Sequence, residues 1–353
     1  MCVSDTALIY GAYGYTGELV AREAVAAGLD PILAGRRKKP LRTVAAELEL
    51  EYRTVSLDDP IAPHLTDIDV VANCAGPFVE TYRPMVDACL ATGTHYLDIT
   101  GEIPVFEAIK QYDELASDAG ITFLPGAGFD VVPSDCLAAH LHERLPGATE
   151  LTLAFDVGGM EASAGTLKTM VEGLGEGSAI RENGHIVSVP MGERTKVIDT
   201  GEGPQTMTAF PWRHVSTAHF STGIPNVGVY VPVSERSERV FRAMNLLGPV
   251  LDVGPVKRTL QWAIEQLVDG PDEHERETGS GSFYGEATDG EETVRSRVRT
   301  PESYRFTALS VVEALSRVLD GDAPAGYQTP SSAFGSEFVL SIDDCEFEDC
   351  IIY

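Results

Sequence analysis

Between residues 6 and 145 short apolar runs alternate with helical patterns, and this alternation restricts the fold more than any other property of the chain. The runs 6–11, 31–37, 52–57, 69–76, 95–100 and 121–126 are expected strands. The stretches 17–28, 41–50, 83–93, 103–120 and 133–145 are expected helices. In the first of them Leu19, Val20, Ala24 and Ala27 share one face, Glu18 and Arg22 form an i,i+4 pair on the other, and Gly28 stands at a C′ stop. Repeated β-α-β order requires a parallel, doubly wound sheet, because each crossover helix must cover a face. Right-handed crossovers place every strand's carboxyl end on one edge, where ligands bind. The loops at 11–17, 35–39, 73–80, 98–104 and 125–134 are therefore the candidate site.

From about residue 148 the texture changes. The runs "ELTLAFDV", "HIVSVP", "TKVIDT", "TMTAF", "VSTAHFST" and "NVGVYVPV" follow closely, broken by turn residues, and predict a mostly antiparallel sheet. A helical stretch (235–268), an acidic loop (269–282), a hairpin around Asp289-Gly290, a helix (304–321) and a last strand (336–342) complete the chain. Because 353 residues exceed one ordinary domain, two are expected. Residues 1–147 form a Rossmann-like doubly wound parallel sheet. Residues 148–353 form an α+β substrate and dimerisation domain, with the last segment packing back on the first domain.

Charge and composition exclude several functions. The net charge of −28 is spread along the chain, and only six of its 26 basic residues are Lys. That pattern fits a halophilic protein, in which multimolar salt screens self-repulsion. Such a surface repels phosphate backbones, so nucleic acid is not an expected partner. With no long apolar run and no leader-like start, the expectation is a cytoplasmic protein without an integral membrane segment. The six cysteines include no CxxC pair, and no metal site is expected; they read as reduced thiols.

The sharpest motif is "GAYGYTG", at the end of the first strand. Gly11 allows the turn off the strand, Gly14 a close backbone approach to a pyrophosphate, and Gly17 close packing of helix on strand. Tyr13, Tyr15 and Thr16 lie among them, and the free N–H groups at the helix start suit an anion. A tight turn without a ligand is the plain alternative. The second strand ends in "AGRR" with no carboxylate, so Arg36 and Arg37 suit the 2′-phosphate of NADP(H) rather than the ribose hydroxyl of NAD(H); two solvated surface charges are the alternative. "NCAGPF" ends the fourth strand, with Asn73, Ala75, Gly76 and Pro77 as a narrow wall for the nicotinamide ribose. Asp98 and Glu102 fall near the carboxyl end of the fifth strand, with Tyr96 and Thr100 on the same face as Asp98. "PGAGFDVVPSD" ends the sixth, with Pro133 placed to open the next helix.

These stretches, together with "SAGTLKTMVEG", "STGIPNVGVY" and "GYQTPSSAFGSEFVL", resemble the saccharopine dehydrogenase-like oxidoreductases, and within them the branch named trans-acting enoyl reductases. The resemblance covers most of the chain. It implies a Rossmann domain, a C-terminal domain with an antiparallel sheet, NADP(H) and hydride transfer. "GFDVVP" resembles the family's nicotinamide-side loop, which implies that Gly128, Asp130 and Pro133 lie by the reacting ring. A saccharopine-like substrate with several carboxylates needs clustered cations, whereas those of the second half are scattered, among them Lys168, Arg181, Arg194, Lys196 and Arg213.

Hydride transfer needs an oriented nicotinamide, a group that stabilises developing negative charge, and a proton source. No Tyr-xxx-Lys pair is present. The candidate catalytic groups are Asp98, Glu102 and Asp130, with Tyr96 and Lys168 as proton donors; binding ribose hydroxyls or holding loops is the alternative for the carboxylates. The expected function is NADP(H)-dependent reduction of a small enoyl or carbonyl substrate, lipid-like in character, by a chain that forms a homodimer. An NADP(H)-binding sensor without turnover and a true amino-acid dehydrogenase are the competing readings.

Overall fold

Strand β1 (Ala7–Tyr10) is buried along its whole length. A parallel strand covered on both faces needs such an unbroken apolar run. The same holds for β2 (Ile32–Gly35) and β4 (Val70–Asn73), where Asn73 is the single polar exception. With β3 (Tyr52–Thr54), β5 (His95–Asp98) and β6 (Thr122–Leu124) they form a parallel sheet. The computed structural model describes residues 6–155, 178–200, 203–210, 214–232 and 273–350. It divides into two units, Met1–Val132 with Ser303–Ile342, and Pro133–Glu302 with Asp343–Tyr353.

In the first unit the strand order is β15-β6-β5-β4-β1-β2-β3, with β15 at Gly326–Tyr327. The order reverses between β1 and β4, which opens a crevice at their carboxyl ends. Helices α1 (Tyr15–Ala26), α2 (Lys38–Leu48) and α3 (Phe78–Thr92) follow β1, β2 and β4. The Glu18–Arg22 pair forms at 2.7 Å, and Arg22 also reaches Glu47 of α2 at 2.9 Å. The expected helix 103–120 is interrupted: α4 (Ile103–Ile109) and α5 (Asp113–Ala119) flank a 3-10 turn at 110–112. The seventh strand, β15, joins β6 from far along the chain.

The second unit is built on α6 (Val132–Arg144), most of which belongs to it, and on a sheet ordered β10-β11-β12-β7-β13-β14-β16, with β8 and β9 beside β12. These strands are β7 (Glu150–Phe155), β8 (Ser178–Glu182), β9 (His185–Val189), β10 (Thr195–Asp199), β11 (Pro204–Ala209), β12 (Asn226–Pro232), β13 (Ser280–Thr288), β14 (Thr293–Pro301) and β16 (Glu346–Cys350). The sheet is mixed, because β12 and β7 pair in parallel while the other pairs are antiparallel. The hairpin at Asp289-Gly290 forms as expected. A Cβ on Gly285 would lie 2.5 Å from Leu141 Cδ1 and 3.0 Å from Leu137 Cγ, both fully buried on α6. Gly285→Ala should therefore cost about 1–3 kcal/mol through overpacking, read as a lower midpoint in denaturant melts.

Five expectations need correction or qualification. "VSTAHFST" has the pattern of a strand, yet His214–Thr222 is a helix, α7. Its β-branched and hydroxyl residues favour strands, but in the helix the Ser221 and Thr222 hydroxyls find partners by donating to the carbonyls of Thr217 and Ala218 one turn back. The last strand at 336–342 is instead a 3-10 helix at Ser336–Ser341, where Phe338 stacks on Phe334 at 4.8 Å under the Arg317 guanidinium. The acidic loop contains a short helix, α8 (Glu273–Thr278). The helical stretch 235–268 lies outside the described residues. The boundary placed at residue 147 also differs from the division seen, since 133–147 lie in the second unit and 303–342 in the first.

Candidate functional site

The first turn after β1 is as tight as its glycines suggest. Gly11 has φ +83, and a Cβ there would stand 3.0 Å from Ala75 N in the loop after β4. A Cβ on Gly17 would run into the Gly11 carbonyl. Gly14 is the extended N-cap of α1 and supplies no side-chain cap; the first helical bond is Glu18 N–H to the Gly14 carbonyl at 2.9 Å. The N–H groups of Thr16 and Gly17 lie ahead of that bond, at the positive end of the helix. Glycine, rather than a capping side chain, thus leaves this turn open to an anion.

At the end of β2, Gly35 makes room for Tyr13, whose ring a Cβ would strike at 2.5 Å. The Arg37 guanidinium stacks over that ring at 4.8 Å. Arg36 is exposed and makes no ion pair among the described residues. The two arginines thus differ: Arg37 lies on the Tyr13 ring, while Arg36 makes no such contact among the described residues. A glycine turn, unoccupied N–H groups and an unpaired guanidinium at the end of β2 together fit the pyrophosphate and 2′-phosphate of NADP(H).

The ends of β4, β5 and β6 are bound into one polar knot. Asp98 is 1 % exposed. Its Oδ1 accepts from Thr100 N–H at 2.8 Å and from Gly126 N–H at 2.9 Å, and its Oδ2 from the Tyr96 hydroxyl at 2.7 Å. Asn73 Nδ2 donates to the Tyr96 oxygen at 3.3 Å, and Asn73 Oδ1 accepts from Ala75 N–H at 3.1 Å. Thr81 closes the loop by donating to the Ala75 carbonyl at 2.7 Å. Burial pushes the Asp98 carboxyl up to about 7, although the three donors oppose it, and pushes the Tyr96 phenol well above its usual range. Cys74 is pushed up to about 12 by burial and by Asp98.

Glu102 has another task. Its two carboxylate oxygens accept from Phe78 and Val79 N–H at 2.8 and 2.7 Å, and so cap the start of α3 next to Gly76 and Pro77. Glu102→Ala should cost about 0.5–2 kcal/mol, as loss of a helix cap does, and lower the melting temperature by a few degrees.

The loop after β6 is held by an element that sequence reasoning assigned elsewhere. Helix α9 (Ser303–Leu319) belongs to the first unit. Thr307 Oγ1 accepts from Phe129 N–H at 3.1 Å, and Ser310 Oγ donates to the Ala127 carbonyl at 2.7 Å. A Cβ on Gly128 would lie 3.0 Å from Thr307. Tyr15, in α1, meets Tyr304 edge-on at 5.0 Å. The apolar stripe of the 304–321 sequence marked a buried helix, but nothing in it named the loop it would hold.

The structure therefore gathers Tyr96, Asp98, Asn73 and Ala75 into one network, sets Glu102 on α3, and leaves Asp130 half-exposed in the loop after β6. Lys168 and Arg213 lie outside the described residues. Arg181, Arg194 and Lys196 are engaged within the fold. Arg181 is buried and donates to the carbonyls of Val215 and Gly184. Arg194 pairs with Glu182, and Lys196 with Glu286 and Thr152. Among the described residues, no group of His, Cys, Asp and Glu is arranged to hold a metal ion, and no helix is long and apolar enough to cross a membrane. Cys74 and Cys89 are free thiols.

A parallel sheet that reverses at β1/β4, with a glycine turn leading into a helix, defines a Rossmann-type dinucleotide-binding unit. Residues 7–124 match the family model described as the saccharopine dehydrogenase NADP binding domain. A human saccharopine dehydrogenase-like oxidoreductase is 28% identical over 202 residues, which cover 50% of this chain and 47% of the relative. A Mycobacterium tuberculosis protein named provisionally as a trans-acting enoyl reductase is 35% identical over 189 residues, 48% of this chain and 44% of the relative. The match thus spans about half the length of these relatives. The structure of apo saccharopine dehydrogenase (L-Glu forming) from Saccharomyces cerevisiae superposes with a TM-score of 0.65 over 99% of this chain and 100% of that one. At 14% identity that likeness concerns the fold alone.

Proposed function

We propose that this protein is an NADP(H)-dependent oxidoreductase that passes a hydride to the C=C or C=O bond of a small, lipid-like substrate. The observation that carries the cofactor choice is Arg36, exposed and without an ion pair at the end of β2 in a domain matched to an NADP-binding family. Gly11, Gly14, Tyr15, Thr16 and Gly17 border the pyrophosphate in this reading. Tyr13 with Arg37, and Arg36, flank the adenosine end, while Asn73, Ala75, Gly76, Pro77 and Gly128 border the nicotinamide end. When bound, the dihydronicotinamide supplies the hydride.

The chain's own groups divide between holding and reacting. Asp98 and Glu102 hold backbone N–H groups and Tyr96 links Asp98 to Asn73; Asp130 and Lys168 remain as candidates for moving a proton. The engaged cations Arg181, Arg194 and Lys196 favour a substrate with few carboxylates over an amino-acid conjugate. Titration with NADPH and NADH in multimolar KCl tests the cofactor half. Screening enoyl, carbonyl and amino-acid plus oxo-acid acceptors for NADPH consumption tests the rest. Turnover of the amino-acid pair alone would overturn the substrate reading.

A second reading keeps a specific support: the burial of both Tyr96 and Asp98 removes two of the five catalytic candidates from contact with a substrate. An NADP(H) sensor would bind NADPH tightly and consume none with any acceptor.

A further inference from the structure

With Asp98 ionised, every hydrogen-bonding group of the knot is matched. The carboxylate accepts three donors, Tyr96 donates to it and accepts from Asn73, and Asn73 Oδ1 holds Ala75 N–H. Among the described residues no cation acts on Asp98; those facing it are Tyr96 on its own strand, Cys74 at the end of β4 and Glu102 beyond β5. Protonation of Oδ2 reverses the first link, because the acid must now donate to the Tyr96 oxygen. The phenolic proton then points at Asn73 Nδ2, itself a donor. Two donors cannot share a bond, so the Asn73 amide rotates to offer its oxygen; its Nδ2 then leaves Thr81 Oγ1, to which it also donates at 3.3 Å, and its oxygen leaves Ala75 N–H. Thr100 and Gly126 are unaffected, since they bond to Oδ1.

We propose that Asp98, acting through Tyr96 and Asn73, is a positioning residue for the loop 74–77: the ionised carboxylate sets the loop for the cofactor, and the protonated acid releases it. This rests on the reading that loop 74–77 borders bound NADP(H). The Gly11 turn lies against the same loop, so a shift at Ala75 reaches the phosphate turn as well.

The test compares wild type, Tyr96→Phe and Asp98→Asn in NADPH fluorescence titrations near pH 6 and pH 8.5. A carboxyl titrating near 7 leaves roughly a tenth of the molecules ionised at pH 6, so wild-type affinity should be about tenfold weaker there. Asp98→Asn, whose amide donates to Tyr96 as the acid would, should bind weakly at both pH values. Tyr96→Phe removes the relay but leaves Asn73 on Ala75, so it should bind tightly at both. The 2′-phosphate titrates in the same range and contributes equally to all three proteins, so the contrast between wild type and Tyr96→Phe isolates the relay. The same pH slope in both would overturn the proposal. If no protein binds NADPH, the cofactor reading falls, and hydrogen exchange of peptide 73–79 decides the lock separately. Greater protection in wild type than in Asp98→Asn at pH 8.5 supports it, and equal protection overturns it.

Discussion

Arg36→Ala should lower NADPH affinity by about 1.5–3 kcal/mol, the worth of a hydrogen bond to a charged group, or roughly 10- to 150-fold. NADH affinity should barely change, because NADH lacks the 2′-phosphate. The structure separates this residue from its neighbour: Arg36 is exposed and makes no ion pair among the described residues, whereas Arg37 lies on the Tyr13 ring. Arg37→Ala should therefore weaken NADPH and NADH together by removing a wall of the adenosine end. Equal losses for both cofactors in Arg36→Ala would show that its guanidinium does not meet the phosphate. Paired titrations in multimolar KCl, with salt held constant because screening weakens such contacts, read this directly.

The second large effect concerns stability. Asp98→Asn should make the protein more stable than wild type above pH 7 and about equal to it near pH 4. Burial raises the folded carboxyl to about 7, against about 3.9 in the unfolded chain. Between those values the native state holds a proton that the unfolded state has released, so wild-type stability falls as pH rises. Below the unfolded value both states are protonated and the stabilisation is fully present; above 7 it is lost. The window of about three pH units corresponds to on the order of 4 kcal/mol. Asparagine does not titrate, so denaturant melts of the two proteins should diverge through this window. A difference that stays constant with pH would mean that Asp98 is not titrating there. Set beside its expected weak NADPH binding, the variant would trade function for stability, a common result when a buried charge serves a site.

Much of this was legible in the chain because the first half obeys short-range rules. Each apolar run is a strand, each periodic stretch a helix, and the glycines mark turns that a Cβ would block. The motif at β2 identified Arg36 and Arg37 but could not tell them apart, since the stacking of Arg37 depends on where Tyr13 comes to rest. Asp98, Glu102 and Tyr96 were found as polar residues near strand ends. Their engagement with Thr100, Gly126, Phe78 and Val79 N–H was not legible, because backbone partners carry no side-chain signature. His214–Thr222 was misread because Thr, Ser and Val favour strands, and only the return bonds of Ser221 and Thr222 reveal the helix. Helix α9 was expected as a helix but not as the support of the loop after β6, which is a contact across about 180 residues of sequence that no local pattern encodes.

That last contact has a consequence for how the protein is made. The first unit cannot be completed when its first 132 residues leave the ribosome, because α9 and β15 are still to be translated. At bacterial to eukaryotic elongation rates, the intervening 170 or so residues take on the order of ten to thirty seconds. During that interval the β6 edge lacks its neighbour β15, and the loop of Gly126 and Gly128 lacks Thr307 and Ser310. An unpaired parallel edge is a template for the wrong partner. The nascent chain should therefore depend on a holding chaperone from its first unit until its second is nearly finished, and a fragment ending at residue 147 should aggregate where the whole chain does not.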